Sequence, residues 1–183
     1  MRRIIVSTYV TMDGVIESPE KWSLQFFDEE AGKFAHEQLF AADALLLGRG
    51  TYEVFAKSWP ARSGDFADRI NRMAKYVVSS TLEAPLGWTN STLIKGDVVE
   101  EVSRLKQQPG QDILIYGTGR LASTLLQHGL IDEHRSWIIP VIWRQGRRIF
   151  DGMEATTLEL VSAKTLPSGA VILSHKLAQG ETI

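Results

Sequence analysis

The chain has 183 residues, 44% of them hydrophobic, and a formal net charge of −2; this is the composition of one domain large enough to bury a core. So small a charge excludes bulk attraction to nucleic acid or to an anionic membrane, and no apolar run approaches the roughly 18 residues of a membrane span. Cysteine is absent, which excludes disulfides, thiolate metal ligands and cysteine nucleophiles.

In chain order, residues 3–10 form a β-branched run that reads as a strand and not as a targeting peptide, because polar Ser7, Thr8 and Thr11 follow at once. Cytoplasmic residence is the default expectation. A long loop over residues 11–25 leads to Asp28, a plausible N-cap for a helix with Ala31, Phe34, Ala35 and Leu39 on one face. Residues 44–47 form a short, wholly apolar strand of the kind buried on both faces of a parallel sheet. It breaks at Gly48-Arg49-Gly50-Thr51 into a short helix through Phe55, which Trp59-Pro60 ends. Ser63 is the expected cap of the next helix, reaching Met73.

Strands follow at residues 76–78, which end in Ser79-Ser80-Thr81, and at 91–94. Asp97 and Glu100 have the spacing of a capping box for a helix to Lys106, which Pro109-Gly110 stops. A strand over residues 113–116 enters Gly117-Thr118-Gly119 and then a helix to His128, with Gly129 closing it. Residues 133–142 and 158–165 read as strands, and Pro167-Ser168-Gly169 as the hairpin turn into 171–177. No repeat, low-complexity tract or linker interrupts residues 1–183. The fold class is α/β, mostly parallel, with an antiparallel C-terminal hairpin.

Two strand-to-helix turns carry chemistry. A helix N-terminus offers unpaired amides and positive potential, so it suits an anion. Gly117, Gly119 and Ala122 satisfy the dinucleotide spacing G-x-G-x-x-G/A. In the common Rossmann arrangement that turn opens the first βαβ unit and an acid follows about 20 residues later. Here at least four strands precede it, and Asp132 and Glu133 begin a strand instead of ending one. A different nucleotide-binding fold is needed.

Five segments in order resemble the dihydrofolate reductase superfamily, in particular the branch containing the reductase domain of riboflavin-biosynthesis deaminase-reductases. They are Val6-Ser7-Thr8-Tyr9-Val10-Thr11-Met12-Asp13-Gly14, Asp43-Ala44-Leu45-Leu46-Leu47-Gly48-Arg49-Gly50-Thr51-Tyr52-Glu53, Lys75-Tyr76-Val77-Val78-Ser79-Ser80, Ile115-Tyr116-Gly117-Thr118-Gly119, and Gly129-Leu130-Ile131-Asp132-Glu133 with Pro140-Val141 downstream.

The resemblance implies a dihydrofolate reductase-like three-layer sandwich around a sheet of about eight strands, with NADPH across the strands' C-terminal edge. It implies Gly48, Arg49, Gly50 and Thr51 beside the cofactor phosphates and Ser79 and Ser80 near the adenosine 2′-phosphate. Gly117, Thr118, Gly119, Arg120 and Leu121 would wrap the pyrophosphate. The residues agree with it: Arg49 and two strand-end hydroxyls suit a dianionic phosphate, and no acid stands ready for an unphosphorylated ribose. The alternative is that these glycines merely make tight turns.

On the substrate side, Asp13 occupies the aspartate position of the branch's S-L-D-G motif, either as a group facing the substrate or as a turn cap. Trp22, Phe26, Phe27 and Asp28 lie where related enzymes bind the substrate, with Asp28 also the helix cap. Trp59 either walls the pocket or packs in the core. Riboflavin reductases typically carry Lys at the place of Ser7 and Glu at that of Tyr116, and this chain has neither charge. Arg144, Arg147 and Arg148 replace the usual glycine-rich stretch, as a solvated loop or an anion contact. The scattered histidines His36, His128, His134 and His175 lack metal-ligand spacing.

The reading is an NADPH-dependent oxidoreductase passing hydride to a small pterin-, pyrimidine- or other conjugated heterocycle-like substrate, with Asp13 as the catalytic candidate. Family members often form homodimers, which the resemblance extends to this chain. Neither nucleic acid nor membrane is an expected partner, and no metal is expected. The alternatives are the riboflavin-pathway reductase itself, 5-amino-6-(5-phosphoribosylamino)uracil being its substrate, a non-catalytic NADP(H)-binding module, and a purely structural domain.

Overall fold

In the computed structural model, which describes residues 1–178, local chemistry sets each element and the sheet joins them. The first strand, β1 (Ile4–Thr11), is buried along nearly its whole length. Two single-turn helices (Pro19–Lys21 and Leu24–Phe26) interrupt the loop after it. Helix α1 (Glu29–Phe40) starts at Asp28, whose carboxylate accepts from the Ala31 amide at 2.8 Å. Ala31, Ala35 and Leu39, spaced four apart, form its buried stripe.

Then come β2 (Ala42–Gly48), α2 (Arg49–Ser58), α3 (Asp65–Arg72), β3 (Ala74–Val78) and β4 (Ser91–Ile94). Helix α4 (Val98–Gln107), β5 (Asp112–Tyr116), α5 (Arg120–Gln127), β6 (Glu133–Ile139), β7 (Leu158–Thr165) and β8 (Val171–Leu177) complete the chain. The sheet order is β4-β3-β2-β5-β1-β6-β8-β7. The six strands from β4 to β6 pair in parallel, and β8 pairs antiparallel with both β6 and β7. The expected eight-stranded, mostly parallel sheet with an antiparallel end is present.

Three layers result. On one face Ile4, Val6, Ala44, Leu46, Ile113 and Ile115 pack against α4 and α5 through Val102, Leu105, Ala122, Leu125 and Leu126. On the other, Ile5, Leu45, Leu47 and Leu114 meet Leu39, Tyr52 and Ile70 of α1, α2 and α3. Trp137, Ile139 and Ile172 extend that second face under α1. Each of these large side chains contributes about 1.5–3 kcal/mol by leaving water.

Three local expectations are corrected. Helix α3 is preceded by Gly64 at φ 105° with no side-chain cap, so Ser63 is not the cap; the chain turns in a conformation that suits glycine. Asp97 does cap α4, accepting from the Glu100 amide at 2.9 Å, but Glu100 pairs with Arg104 one turn on instead of closing a capping box. Strand β6 stops at Ile139 and not at Ile142, because Pro140 has no amide hydrogen to continue the ladder.

Candidate active site

Parallel strands deliver all their C-terminal ends to one edge. Reading across the sheet, that edge carries Ser79-Ser80 after β3, Gly48-Arg49 at the end of β2, Gly117-Thr118-Gly119 after β5, Thr11-Met12-Asp13 at the end of β1 and Pro140 after β6. Segments far apart in sequence thus become neighbours, and the predicted cofactor residues of three loops lie on adjacent strands.

The central pair is α2 and α5. Gly48 precedes α2 and Gly119 precedes α5, both extended and without a side-chain cap on the helix amides. β2 and β5 are paired, and a Cβ placed on Gly48 would lie 4.0 Å from that of Leu121, so the two helix starts stand side by side. A Cβ at Gly50, Gly117 or Gly119 would meet nothing within 4 Å. Only Gly117, at φ 82°, needs glycine for its backbone. Gly119, at φ −115°, could be any residue on conformational grounds, so its missing side chain leaves room above the turn. Room plus unpaired amides fits a diphosphate.

Arg49, exposed on the first turn of α2, reaches the strand end beside it. Its Nε pairs with Glu53 at 2.8 Å and its Nη1 donates to Thr81 Oγ1 at 2.8 Å. Of the two serines, Ser79 is buried, and its hydroxyl accepts from the amides of Thr81 at 3.2 Å and Leu82 at 3.1 Å. It shapes the loop. Ser80 is exposed and keeps its hydroxyl on the surface. Thr81, which sequence reasoning did not select, is the residue that fixes Arg49.

Thr118 takes part in the turn before α5 through its backbone. Its hydroxyl turns inward, 2.8 Å from His134 Nε2 in a buried contact, so only its backbone faces the edge. Thr51 is half-buried within α2, Arg120 is exposed at the first position of α5, and Leu121 packs on the core beside Gly48.

Asp13 is fully engaged. Its Oδ1 accepts from Thr11 Oγ1 at 2.7 Å and from the Trp143 amide at 3.0 Å, and its Oδ2 from the Arg144 amide at 2.8 Å. These donors, the Thr11 hydroxyl first, hold its carboxyl down at about 2. Arg148 donates to the Asp13 carbonyl, and Met12–Val141, Ile16–Arg147 and Ile149–Gly14 backbone bonds run alongside. The segment after β6 is therefore a strap laced to the loop after β1, with Arg148 part of the lacing and Arg144 and Arg147 exposed.

The remaining substrate candidates divide. Trp22 is buried, donating from Nε1 to the Glu17 carbonyl at 3.0 Å, and Phe26 packs beside it. Both belong to the core under α1. Asp28 binds the Ser168 amide at 2.8 Å as well as capping α1, tying the helix to the β7–β8 turn. Phe27 is exposed. Trp59 lies between Phe55 and Phe66, with ring centroids 6.0 and 5.6 Å away, and under the Arg62 guanidinium.

On that same face Ser7 and Tyr116 are register partners on β1 and β5, so the two sequence departures are one cross-strand substitution. Trp137 Nε1 donates to the Ser7 hydroxyl at 2.9 Å. The Tyr116 hydroxyl is buried with no partner among the described residues, and burial raises its pKa; burial also pushes Tyr9 up to about 12. The opposite face holds a cavity of about 320 Å³ between β1, β6 and β8 and the strap, lined by Met12, Ile138, Phe150, Leu173 and His175 among others. It contains none of the substrate candidates. No helix among the described residues is long and apolar enough to cross a membrane.

Comparison with known proteins gives the same fold and a family. The family model of the RibD C-terminal domain matches residues 2–172. The uncharacterized protein YyaP of Bacillus subtilis (strain 168) is 30% identical over 179 residues, which is 93% of this chain and 92% of that protein. A putative riboflavin biosynthesis protein from Shewanella sp. PV-4 superposes with a TM-score of 0.76 at 18% identity, covering 98% of this chain and all of that one. A Thermotoga maritima diaminohydroxyphosphoribosylaminopyrimidine deaminase/5-amino-6-(5-phosphoribosylamino)uracil reductase superposes with a TM-score of 0.69 at 15% identity. It covers 97% of this chain but only 57% of the longer Thermotoga protein.

Proposed function

The chain belongs to the RibD C-terminal domain family, and from that premise we propose that it is an NADPH-dependent reductase acting on a small conjugated heterocycle. Membership supports an oxidoreductase of the riboflavin-pathway reductase type. The observation that carries the cofactor assignment is the pair of uncapped helix starts at Gly48 and Gly119, side by side, with open space over Gly50, Gly117 and Gly119. Bound there, NADPH supplies the hydride from C4 of its nicotinamide.

The chain's own residues do the rest. Backbone amides of α2 and α5 receive the pyrophosphate, and Arg49, steadied by Thr81, meets the 2′-phosphate together with the exposed Ser80 hydroxyl. Asp13 stays ionised at neutral pH, so it is not the proton donor. Its part is to hold the strap against the β1 loop, which closes one side of the reaction site. The proton added to the substrate comes from water.

Substrate choice follows from the neutral cross-strand pair Ser7 and Tyr116. Neither offers a charge to a phosphoribosyl group, so 5-amino-6-(5-phosphoribosylamino)uracil is a poor substrate and an uncharged ring a better one. A turnover panel tests this: pterins, quinones and imines against that aminouracil phosphate, each with NADPH. Faster NADPH oxidation with an uncharged ring supports the reading; preference for the aminouracil phosphate returns the chain to riboflavin synthesis. A thermal-shift series with NADPH, NADH, FAD and FMN tests the cofactor itself. The homodimer expected from the family belongs to this proposal too, and sedimentation or light scattering measures it.

A further inference from the structure

The Gly117-Thr118-Gly119 turn has one side chain, and two glycines flank it. Such a segment has little intrinsic reason to hold one shape. Its backbone has an anchor where the Gly117 amide donates to the Ser7 carbonyl at 2.8 Å. Its side-chain anchor is Thr118, 95% buried, whose hydroxyl lies 2.8 Å from His134 Nε2.

His134 is an unusual anchor for such a place. It lies on β6, level with Val6 of β1, which is itself level with Ile115 of β5. Thr118, three residues beyond Ile115, therefore reaches across β1 to touch it. The residue is 98% buried. Its second nitrogen, Nδ1, lies 3.2 Å from the Ser136 hydroxyl, and the Phe150 ring of the strap covers it at 5.1 Å. His175, its register partner on β8, is the titratable group facing it. An imidazole so enclosed stays neutral, one nitrogen donating and the other accepting. An aliphatic residue would fill this core position without the desolvation cost, and what it could not do is grip Thr118.

We infer that His134 is a positioning residue for nucleotide binding: held by Ser136 and Phe150, it fixes Thr118 and thereby the shape of the turn that meets the pyrophosphate. This rests on the reductase reading above for the identity of the nucleotide. It assigns a cofactor-affinity role to a residue that never touches the cofactor, on the far side of β1 from the turn.

The test is NADPH titration by calorimetry on the wild-type chain, Thr118→Val, His134→Leu and the double variant. One lost hydrogen bond predicts Kd weakened about 5-fold in each single variant, with the double no weaker than either. Thr118→Ser and His134→Gln, which keep a polar partner, are expected to recover most of the affinity, which a general loss of packing would not allow. Additive losses, or a Thr118→Val protein that binds like wild type, overturn the inference. If His134→Leu does not fold, Thr118→Val against Thr118→Ser decides alone. Should the wild type bind neither NADPH nor NADH, the reductase reading falls and this inference with it; binding with additive losses removes the inference only.

Discussion

At Asp13 three donors surround the carboxylate, and the Thr11 hydroxyl leads in holding its pKa near 2. The pH-rate profile is therefore expected to show no ionisation of this group between pH 5 and 9. Asp13→Ala removes the acceptor for the Trp143 and Arg144 amides, so limited proteolysis within residues 141–153 is expected to accelerate; an unchanged cleavage pattern contradicts the clamp. At Arg49 the guanidinium sits between Glu53 and Thr81. Arg49→Ala is expected to weaken NADPH binding about 10-fold, roughly one charge-assisted hydrogen bond, and to leave NADH binding nearly unchanged. Equal losses for both nucleotides would remove Arg49 from the 2′-phosphate site.

At the scale of elements, the two glycines of one turn separate backbone need from ligand need. Gly117→Ala forces a side chain into φ 82° and is expected to cost about 1–2 kcal/mol of stability by chemical denaturation. Gly119→Ala has an ordinary backbone and open space, so it is expected to leave stability unchanged while impairing NADPH binding. The reverse pattern would mean that the turn is purely structural. These contrasts also mark what sequence could reveal. Asp28 and Asp97 were readable as caps because a cap acts on an amide three residues away, and β2 and β5 were readable from their apolar runs. His134 gave no sequence signal, because its partner Thr118 lies 16 residues away, beyond the end of a strand on the other side of β1. Ser79 and Ser80 were indistinguishable in sequence; the loop direction after β3 buries one hydroxyl and exposes the other. The Ser7–Tyr116 pairing likewise depends on register, which no single strand contains.

For the whole molecule, two buried bases, His134 and Lys75, contribute opposite ends of the pH response. Burial depresses His134 from 6.5 to about 4, so the unfolded chain takes up a proton below about pH 6.5 that the folded chain refuses. Stability therefore falls as pH drops from 6.5 toward 4, by on the order of 3 kcal/mol. Lys75, buried at the start of β3, donates to the Asn71 and Met73 carbonyls at 2.8 and 2.7 Å and lies over the Trp88 ring. Burial lowers it to about 8, and the unfolded chain holds that proton up to about pH 10.5. Its contribution to stability thus rises between pH 8 and 10.5. Urea unfolding across pH 4–10 measures both slopes; His134→Gln is expected to flatten the acid one.

The proposed function places a phosphorylated dinucleotide at one edge of one sheet, and nucleotide binding by the unmodified chain is the direct test. Calorimetric titration with NADPH and NADH is expected to show saturable binding of one nucleotide per chain, with NADPH at least 10-fold tighter, about one charge-assisted hydrogen bond to the 2′-phosphate. Equal affinity for the two, or no binding of either, contradicts the account.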